Sequence, residues 1–338
     1  MKILVTGSAG HLGEALVRSL LESGHHPTGI DIKASAFTDQ VGSITDPDFV
    51  EHCMTGIDAV LHSATLHKPH VATHSRQDFV DTNISGTLNL LEAANRAGVG
   101  AFIYTSTTST FGDAMRSSPG DPAVWVSEDL APRPKNIYGV TKTSAELLCE
   151  LFHRNMNLPC IVLRTSRFFP EEDDNRNKRT SFEDDNLKVN ELLFRRADIK
   201  DIVVAHELAI AKAPEVGFDR FIISATTPFQ RSDVAELSMS APSVLERYVP
   251  GYVEQYAMRG WKMFSSIGRV YDNNRARKVL GWEPEYNFAR VIQLLSEGRD
   301  YQSQLARLVG AKGYHDTKFV EGPYPVDETP IIKTGQDR

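Results

Sequence analysis

The chain has 338 residues, of which 41% are hydrophobic and 24% charged, and carries a formal net charge of -7. This is globular chemistry: long enough for a sizeable core in one large domain or two, and unlike the composition of disorder, fibres or membrane spans. The acidic balance argues against nucleic acid as a partner, because tracking a phosphate backbone calls for excess Lys and Arg on one face. No apolar run reaches the roughly 18 residues that would cross a bilayer. The opening MKILVTG reads as a strand and not as a secretory leader. Three widely spaced cysteines, Cys53, Cys149 and Cys160, suggest neither a disulfide framework nor a zinc site, and a cytoplasmic protein is expected.

In chain order, β-branched apolar runs at 2–5, 27–31, 59–62, 102–106 and 161–164 read as strands. Between them, 12–22, 46–53, 78–97 and 138–155 repeat apolar residues three and four apart and read as helices. Strands alternating with helices predict an α/β fold, a doubly wound parallel sheet with a smaller C-terminal substrate-binding lobe. Residues 170–186, PEEDDNRNKRTSFEDDN, are charged and almost free of aliphatics, and read as a solvated loop or a mobile lid. A helix at 199–212 and a strand at 218–224 follow, and 231–262, punctuated by Pro242, Pro250 and Gly251, reads as small helical pieces. The expected organisation is a nucleotide-binding domain at 1–165 with 197–225 returning to it, and a substrate lobe at 166–196 and 226–312. The stretch 313–338 reads as an extended arm or disordered tail.

Thr6-Gly7-Ser8-Ala9-Gly10-His11-Leu12-Gly13 lies between the first strand and the first helix. Gly7, Gly10 and Gly13 permit a tight turn and a close approach of backbone to a pyrophosphate. The helix N-terminus after them, at His11 and Leu12, offers N–H groups and a positive dipole to the anion. Asp31 ends the second strand, where a carboxylate accepts from ribose hydroxyls and repels a 2′-phosphate, which favours NAD over NADP; nearby Lys33 weakens that preference. Without a ligand the same residues would be a turn and a strand-end cap.

Tyr138-Gly139-Val140-Thr141-Lys142 puts a phenol and an ammonium on one helix face, i to i+4. A cation beside a phenol favours the phenolate, and bringing a pKa from about 10 towards neutrality is worth roughly 4 kcal/mol. That predicts a general acid/base. The hydroxyls of Thr105 to Thr110 stand at the C-terminal end of a predicted strand, where ligands gather in open α/β sheets. Four histidines, His62, His67, His70 and His74, crowd one segment, but no carboxylate or Cys joins them at ligand spacing and no metal is expected.

The chain resembles an extended short-chain dehydrogenase/reductase, the superfamily of NAD-dependent epimerases and dehydratases. The likeness runs through TGSAGHLG at 6–13, Asp31, AVLHSAT at 59–65, DTNISGTLNLLEAA at 81–94, FIYTSTTSTFG at 102–112, NIYGVTK at 136–142 and RVYDNNRARKVLGWEP at 269–284. This resemblance implies a Rossmann-type fold and NAD as cofactor. It implies Tyr138 as acid/base, Lys142 as its modulator and a ribose ligand, and Thr107 as the hydroxyl orienting the substrate oxygen, with Ser106 as the alternative. It further implies Ser43 and Ile44 beside the adenine, and His62, Ser63 and Ala64 under the cofactor. Asn83 would sit on the bracing helix, with Thr165 and Ser166 towards the nicotinamide and Thr105 as a further cofactor contact. A homodimer packed through the helices after Asp81 and Tyr138 is implied as well, with Leu88, Leu90, Leu91, Leu147 and Leu148 as candidate contacts.

The likeness breaks after the fifth predicted strand. Arg167 stands where nucleotide-sugar enzymes carry an Asn that helps hold the diphosphate, and the segment before Asp201 is shortened. Arg133-Pro134, Lys68-Pro69 and Pro170-Glu171 instead resemble the sugar-acid dehydrogenases of the superfamily. There Arg167, Arg176 or Arg179 would take a substrate carboxylate, or else neutralise their acidic neighbours. His67 is a further candidate substrate contact. A carbohydrate or nucleotide sugar is the expected substrate, with epimerase, NADH-releasing dehydrogenase and noncatalytic NAD-binding regulator as the alternatives.

Overall fold

The computed structural model describes residues 1–118 and 120–313. Of the expected tail at 313–338, all but Gly313 lies outside the described residues. Strand β1 (Lys2–Thr6) is followed by α1 (His11–Glu22), β2 (His26–Asp31), β3 (Gln40–Val41), α2 (Pro47–Cys53), β4 (Ala59–His62), α3 (Arg76–Val80) and α4 (Gly86–Ala97). Then come β5 (Ala101–Thr107), β6 (Val124–Val126), α5 (Ile137–Met156), β7 (Cys160–Thr165), α6 (Arg176–Ser181), α7 (Asp184–Glu191), α8 (Ile199–Val216) and β8 (Phe218–Ile223). The remainder forms α9 (Val234–Leu237), α10 (Ala241–Tyr248), α11 (Tyr252–Arg259), β9 (Arg269–Tyr271), α12 (Asn274–Leu280), α13 (Phe288–Ser296) and α14 (Gln304–Val309).

Seven parallel strands form one sheet in the order β3-β2-β1-β4-β5-β7-β8. The order reverses between β1 and β4, and in such sheets ligands bind in the crevice beyond the strands' carboxyl ends at that reversal. Alternation along the strands feeds two cores. Ile3 and Val5 face α1 and α8 with Leu16, Leu20, Ile202 and Phe221. Leu4 faces the opposite layer with Val60, Leu90, Phe102 and Phe152. Burying a side chain of this size contributes about 1.5–3 kcal/mol, so a one-residue register slip, which would exchange the two sets, is strongly disfavoured.

The structure corrects the sequence reading in four places. The single helix expected at 78–97 begins at Arg76, where the Ser75 hydroxyl accepts from the Asp78 N–H at 3.2 Å, and it widens into a π turn over Asp81–Ser85 before α4. The segment 170–186 is not simply a solvated loop: α6 and the start of α7 lie in it, and Asp173 and Asn186 are buried. Helix α8 runs past residue 212 to Val216 with Pro214 inside its last turn. Strands β3, β6 and β9 went unforeseen, being two or three residues long; β6 and β9 pair in parallel as a second small sheet.

A third core, with Leu192, Leu193, Leu237, Val244, Tyr256, Val270, Phe288 and Val291, holds the helical pieces of the C-terminal lobe together. Not all of 226–312 packs there. Ala276, Leu280, Trp282 and Val309 fill the α1 and α8 face of the main sheet, and the Trp282 indole donates to the Asp201 carbonyl at 2.9 Å. Among the described residues no helix is long and apolar enough to cross a membrane.

Candidate active site

Two glycines set the first wall of the site. Gly7 has φ +75° and donates its N–H to the Ile30 carbonyl at 2.8 Å; a Cβ there would lie 2.8 Å from the Ala64 nitrogen. A Cβ on Gly13 would fall 2.0 Å from the Gly7 carbonyl oxygen, so α1 can pack this close to the turn only without a side chain. The Asp31 carboxylate caps the arrangement, accepting from the Ala9 N–H at 3.0 Å and the Lys33 N–H at 2.9 Å. Beyond the turn opens a cleft of about 1000 Å³. Gly7, Gly10, His11, Leu12, Gly13, Asp31, Lys33, Ser43, Ile44, Ser63 and Ala64 line it from the N-terminal side, and Thr105, Thr107, Tyr138, Lys142, Thr165 and Ser166 from the middle of the sheet.

Helix α5 presents the phenol and the ammonium. Its start is fixed by Asn136, whose side-chain oxygen accepts the Gly139 N–H at 3.0 Å. The Thr107 hydroxyl and the Tyr138 phenol are hydrogen-bonded, and Thr107 also accepts the Ser109 N–H at 3.1 Å. Burial pushes the phenol up to about 12, opposed by the Thr107 bond, which pulls it down. The expected lowering by Lys142 is not produced by the protein's own groups. Lys142 instead donates to the Thr105 carbonyl at 2.6 Å and lies over the Tyr104 ring at 4.1 Å, and burial pulls its pKa down to about 7.

A buried layer braces these groups. The His206 ring nitrogen Nδ1 lies 2.8 Å from the Ile202 carbonyl, which can only accept, so Nε2 accepts from the Thr105 hydroxyl at 2.8 Å. Burial holds this imidazole neutral, its pKa pulled down to about 4. Glu146, one helical turn beyond Lys142, accepts from the Ser106 hydroxyl at 2.5 Å and from Arg164 at 2.7 Å. Asn83 donates to the Leu66 carbonyl at 3.1 Å and the Thr141 hydroxyl at 3.0 Å, and accepts from the Leu66 N–H at 2.8 Å, tying the 65–66 loop to α5.

Two expected contacts are placed behind the cleft wall. Ser106 does line the cleft, its hydroxyl donated to Glu146 at 2.5 Å. His62 does not line the cleft: its ring is fixed between the Thr6 hydroxyl at 2.8 Å and the Thr87 hydroxyl at 2.9 Å, in the core. Asn83 also stands behind the wall and acts through the loop it holds. His67 does line the cleft, its ring centroid 6.1 Å from that of Tyr138. Arg167 lines it too, with its guanidinium 2.6 Å from the Asp173 carboxylate, and the Arg179 guanidinium donates to the Asp173 carbonyl at 2.5 Å. His206, Glu146 and Arg269, the last on the cleft wall, were not singled out by the sequence reading. Only Glu146 left a signal, at i+4 from Lys142.

The cradle left by Gly7 and Gly13, the carboxylate at Asp31 and the volume of the cleft fit a dinucleotide such as NAD. Residues 3–189 match the model of the NAD dependent epimerase/dehydratase family. A UDP-glucose 4-epimerase of Mycolicibacterium smegmatis is 27% identical over 318 residues, covering 86% of this chain and 96% of the relative. A 3 beta-hydroxysteroid dehydrogenase/Delta 5-->4-isomerase of Mycobacterium tuberculosis is 34% identical over 155 residues, 43% of this chain and 41% of that protein. Among solved structures, a short-chain dehydrogenase/reductase superfamily protein of Agrobacterium tumefaciens with bound NAD superposes with a TM-score of 0.63 at 24% identity, covering 88% of this chain and 96% of that one. With more than half of its length matching the family model, the chain belongs to the NAD dependent epimerase/dehydratase family.

Proposed function

We propose that the protein is an NAD-dependent oxidoreductase or epimerase that acts on a carbinol or ketone carbon of a carbohydrate. The observation that carries this reading is the Thr107–Tyr138 hydroxyl pair facing the cleft, with Lys142 held beside it by the Thr105 carbonyl. NAD bound along the cleft supplies the hydride acceptor. Tyr138 takes the proton of the substrate hydroxyl as its carbon is oxidised, and returns it on reduction. Thr107 holds the same oxygen. His206 and Thr105 position Lys142 from behind, and Asp31 receives the ribose hydroxyls. The carbohydrate assignment is supported by the match to the M. smegmatis epimerase along nearly the whole of that relative.

The break in the family pattern at Arg167 favours a second form of the same reading, a sugar-acid dehydrogenase that releases NADH. The exposed Leu88, Val140, Leu147 and Leu151 on α4 and α5 support a homodimer packed through these helices, whereas Leu90 and Leu91 are spent in the core. Incubation with NAD and a panel of free sugars, sugar acids and nucleotide sugars tests the reading. NADH accumulation identifies a dehydrogenase. An epimer found by chromatography without NADH identifies an epimerase, and no conversion of any carbohydrate contradicts the substrate class.

A further inference from the structure

The cleft wall beside α1 is completed by a piece of chain from far along the sequence. Helix α14 is rooted on the body of the protein: Val309 is buried in the α1 and α8 core, and the Ser303 hydroxyl and N–H both bond to the Asp198 carboxylate, at 2.6 and 3.0 Å. Gly310, at φ +59°, then turns the chain off the helix, and Lys312 and Gly313 arrive on the cleft wall with His11. His11 is the first residue of α1, the end at which a helix offers its N–H groups to a pyrophosphate.

One carboxylate from a third part of the chain fastens this piece. Glu171, in the loop after β7, lies with Oε1 2.7 Å from His11 Nε2, 3.1 Å from the Lys312 nitrogen and 3.0 Å from the Gly313 nitrogen. A carboxylate only accepts, so Nε2 carries the proton, and the Lys312 N–H, also 3.1 Å from Nε2, is donated to Oε1. The Lys312 ammonium pairs with Glu14, in the first turn of α1. Three bonds to one ionised oxygen hold the junction closed. Little else does. Among the described residues Glu171 Oε2 is buried without a hydrogen-bond partner, a cost that opening relieves. Ala311, Lys312 and Gly313 are exposed, and a cavity of about 50 Å³ lined by His11, Phe168, Pro170, Val309 and Gly310 lies alongside, so lifting this piece sacrifices little packing.

We propose that residues 310–313 belong to the dinucleotide site as a strap, clasped by Glu171 across its pyrophosphate end, and that opening of this clasp sets how fast NAD enters and leaves. The inference rests on the reading of the cleft as the NAD site. Stopped-flow mixing of the full chain with NADH, followed by nicotinamide fluorescence, gives the association rate, and a chase with excess NAD gives the release rate. Glu171→Ala, which removes every bond at the junction, speeds both by about tenfold or more, so that Kd moves less than either rate. Glu171→Gln, whose amide oxygen still accepts the two N–H groups, falls between that variant and the parent. Lys312→Met, which loses only the Glu14 pair, speeds both rates by about two- to threefold. The proposal is overturned if Glu171→Ala leaves both rates at the parent values, or if release alone is faster, which marks a lost contact and not a gate. Thermal melting reports the fold of each variant; where Glu171→Ala is unfolded, Lys312→Met carries the same two outcomes. Because rates are read without turnover, failure here leaves the Tyr138 chemistry untouched, whereas a parent that binds no NADH overturns the reading of the cleft and the strap with it.

Discussion

The glycine-rich turn and the segment from Arg167 to Arg196 line one cleft and use their polar groups in different ways. At the turn, backbone N–H groups, Asp31 and the hydroxyls at the end of β5 line open space. In the charged segment, Glu191 is 1% exposed and is surrounded by Arg195, Arg196 and Arg167, so guanidiniums and carboxylates are used up on one another. The first region is shaped to receive a ligand whose charges complete it. The second is a scaffold whose charges are already complete, and it holds the loop after β7 through the Arg167 N–H to Arg195 carbonyl bond at 3.0 Å. Charge density in a sequence is thus a poor guide to where a ligand binds.

This contrast can be broken at either end. The largest effect is expected at the turn. Gly13→Ala forces a Cβ to within 2.0 Å of a carbonyl oxygen, and NAD affinity measured by fluorescence quenching should fall more than about a hundredfold or the protein should not fold. In the scaffold, Glu191→Ala leaves three guanidiniums without their shared acid. Urea unfolding should show a loss of about 3–5 kcal/mol, with NAD affinity in the surviving folded fraction little changed. An equal loss of NAD affinity in Glu191→Ala would erase the distinction between the two regions.

Acid sharpens the same comparison. Burial raises the Glu191 carboxyl, but Arg195, Arg196 and Arg167 together hold it well below its ordinary 4.5. Burial likewise raises Asp174, while Lys68 and Arg167 bring it to about 2 from an ordinary 3.8. Both folded pKa values are depressed, so their stabilisation is present above about pH 4.5 and is lost as the pH falls towards 2. Thermal unfolding followed by circular dichroism should show the melting temperature dropping through that window, with a shallower drop in Lys68→Met. The smallest effect concerns the surface: Leu147, 58% exposed on α5, should be tolerated as Leu147→Glu without loss of fold, but sedimentation should then report a monomer.

What the sequence disclosed follows the same division. Gly7, Gly13 and Asp31 were legible because backbone geometry admits few alternatives there, and Tyr138 and Lys142 because helical spacing alone puts them on one face. Thr107 and Ser106 were harder to separate, since at the end of a strand one residue decides which side a hydroxyl takes, and Ser106 falls on the Glu146 side. His62 was read as a cofactor neighbour because its segment resembles the family's, yet its ring turns into the core between Thr6 and Thr87. The run at 170–186 looked solvated because the partners of its acids lie outside it: Arg167 and Arg195 for Asp173, and Lys68 for Asp174.

The most direct test of the account is the kinetics of Tyr138→Phe on whichever carbohydrate the panel identifies, measured beside NAD affinity. Loss of the phenol hydroxyl should lower kcat by about 10²- to 10⁴-fold, while NAD binds as before, because the ring beside His67 on the cleft wall is kept. A variant that turns over at the parent rate would contradict the assignment of Tyr138 as the group that moves the proton.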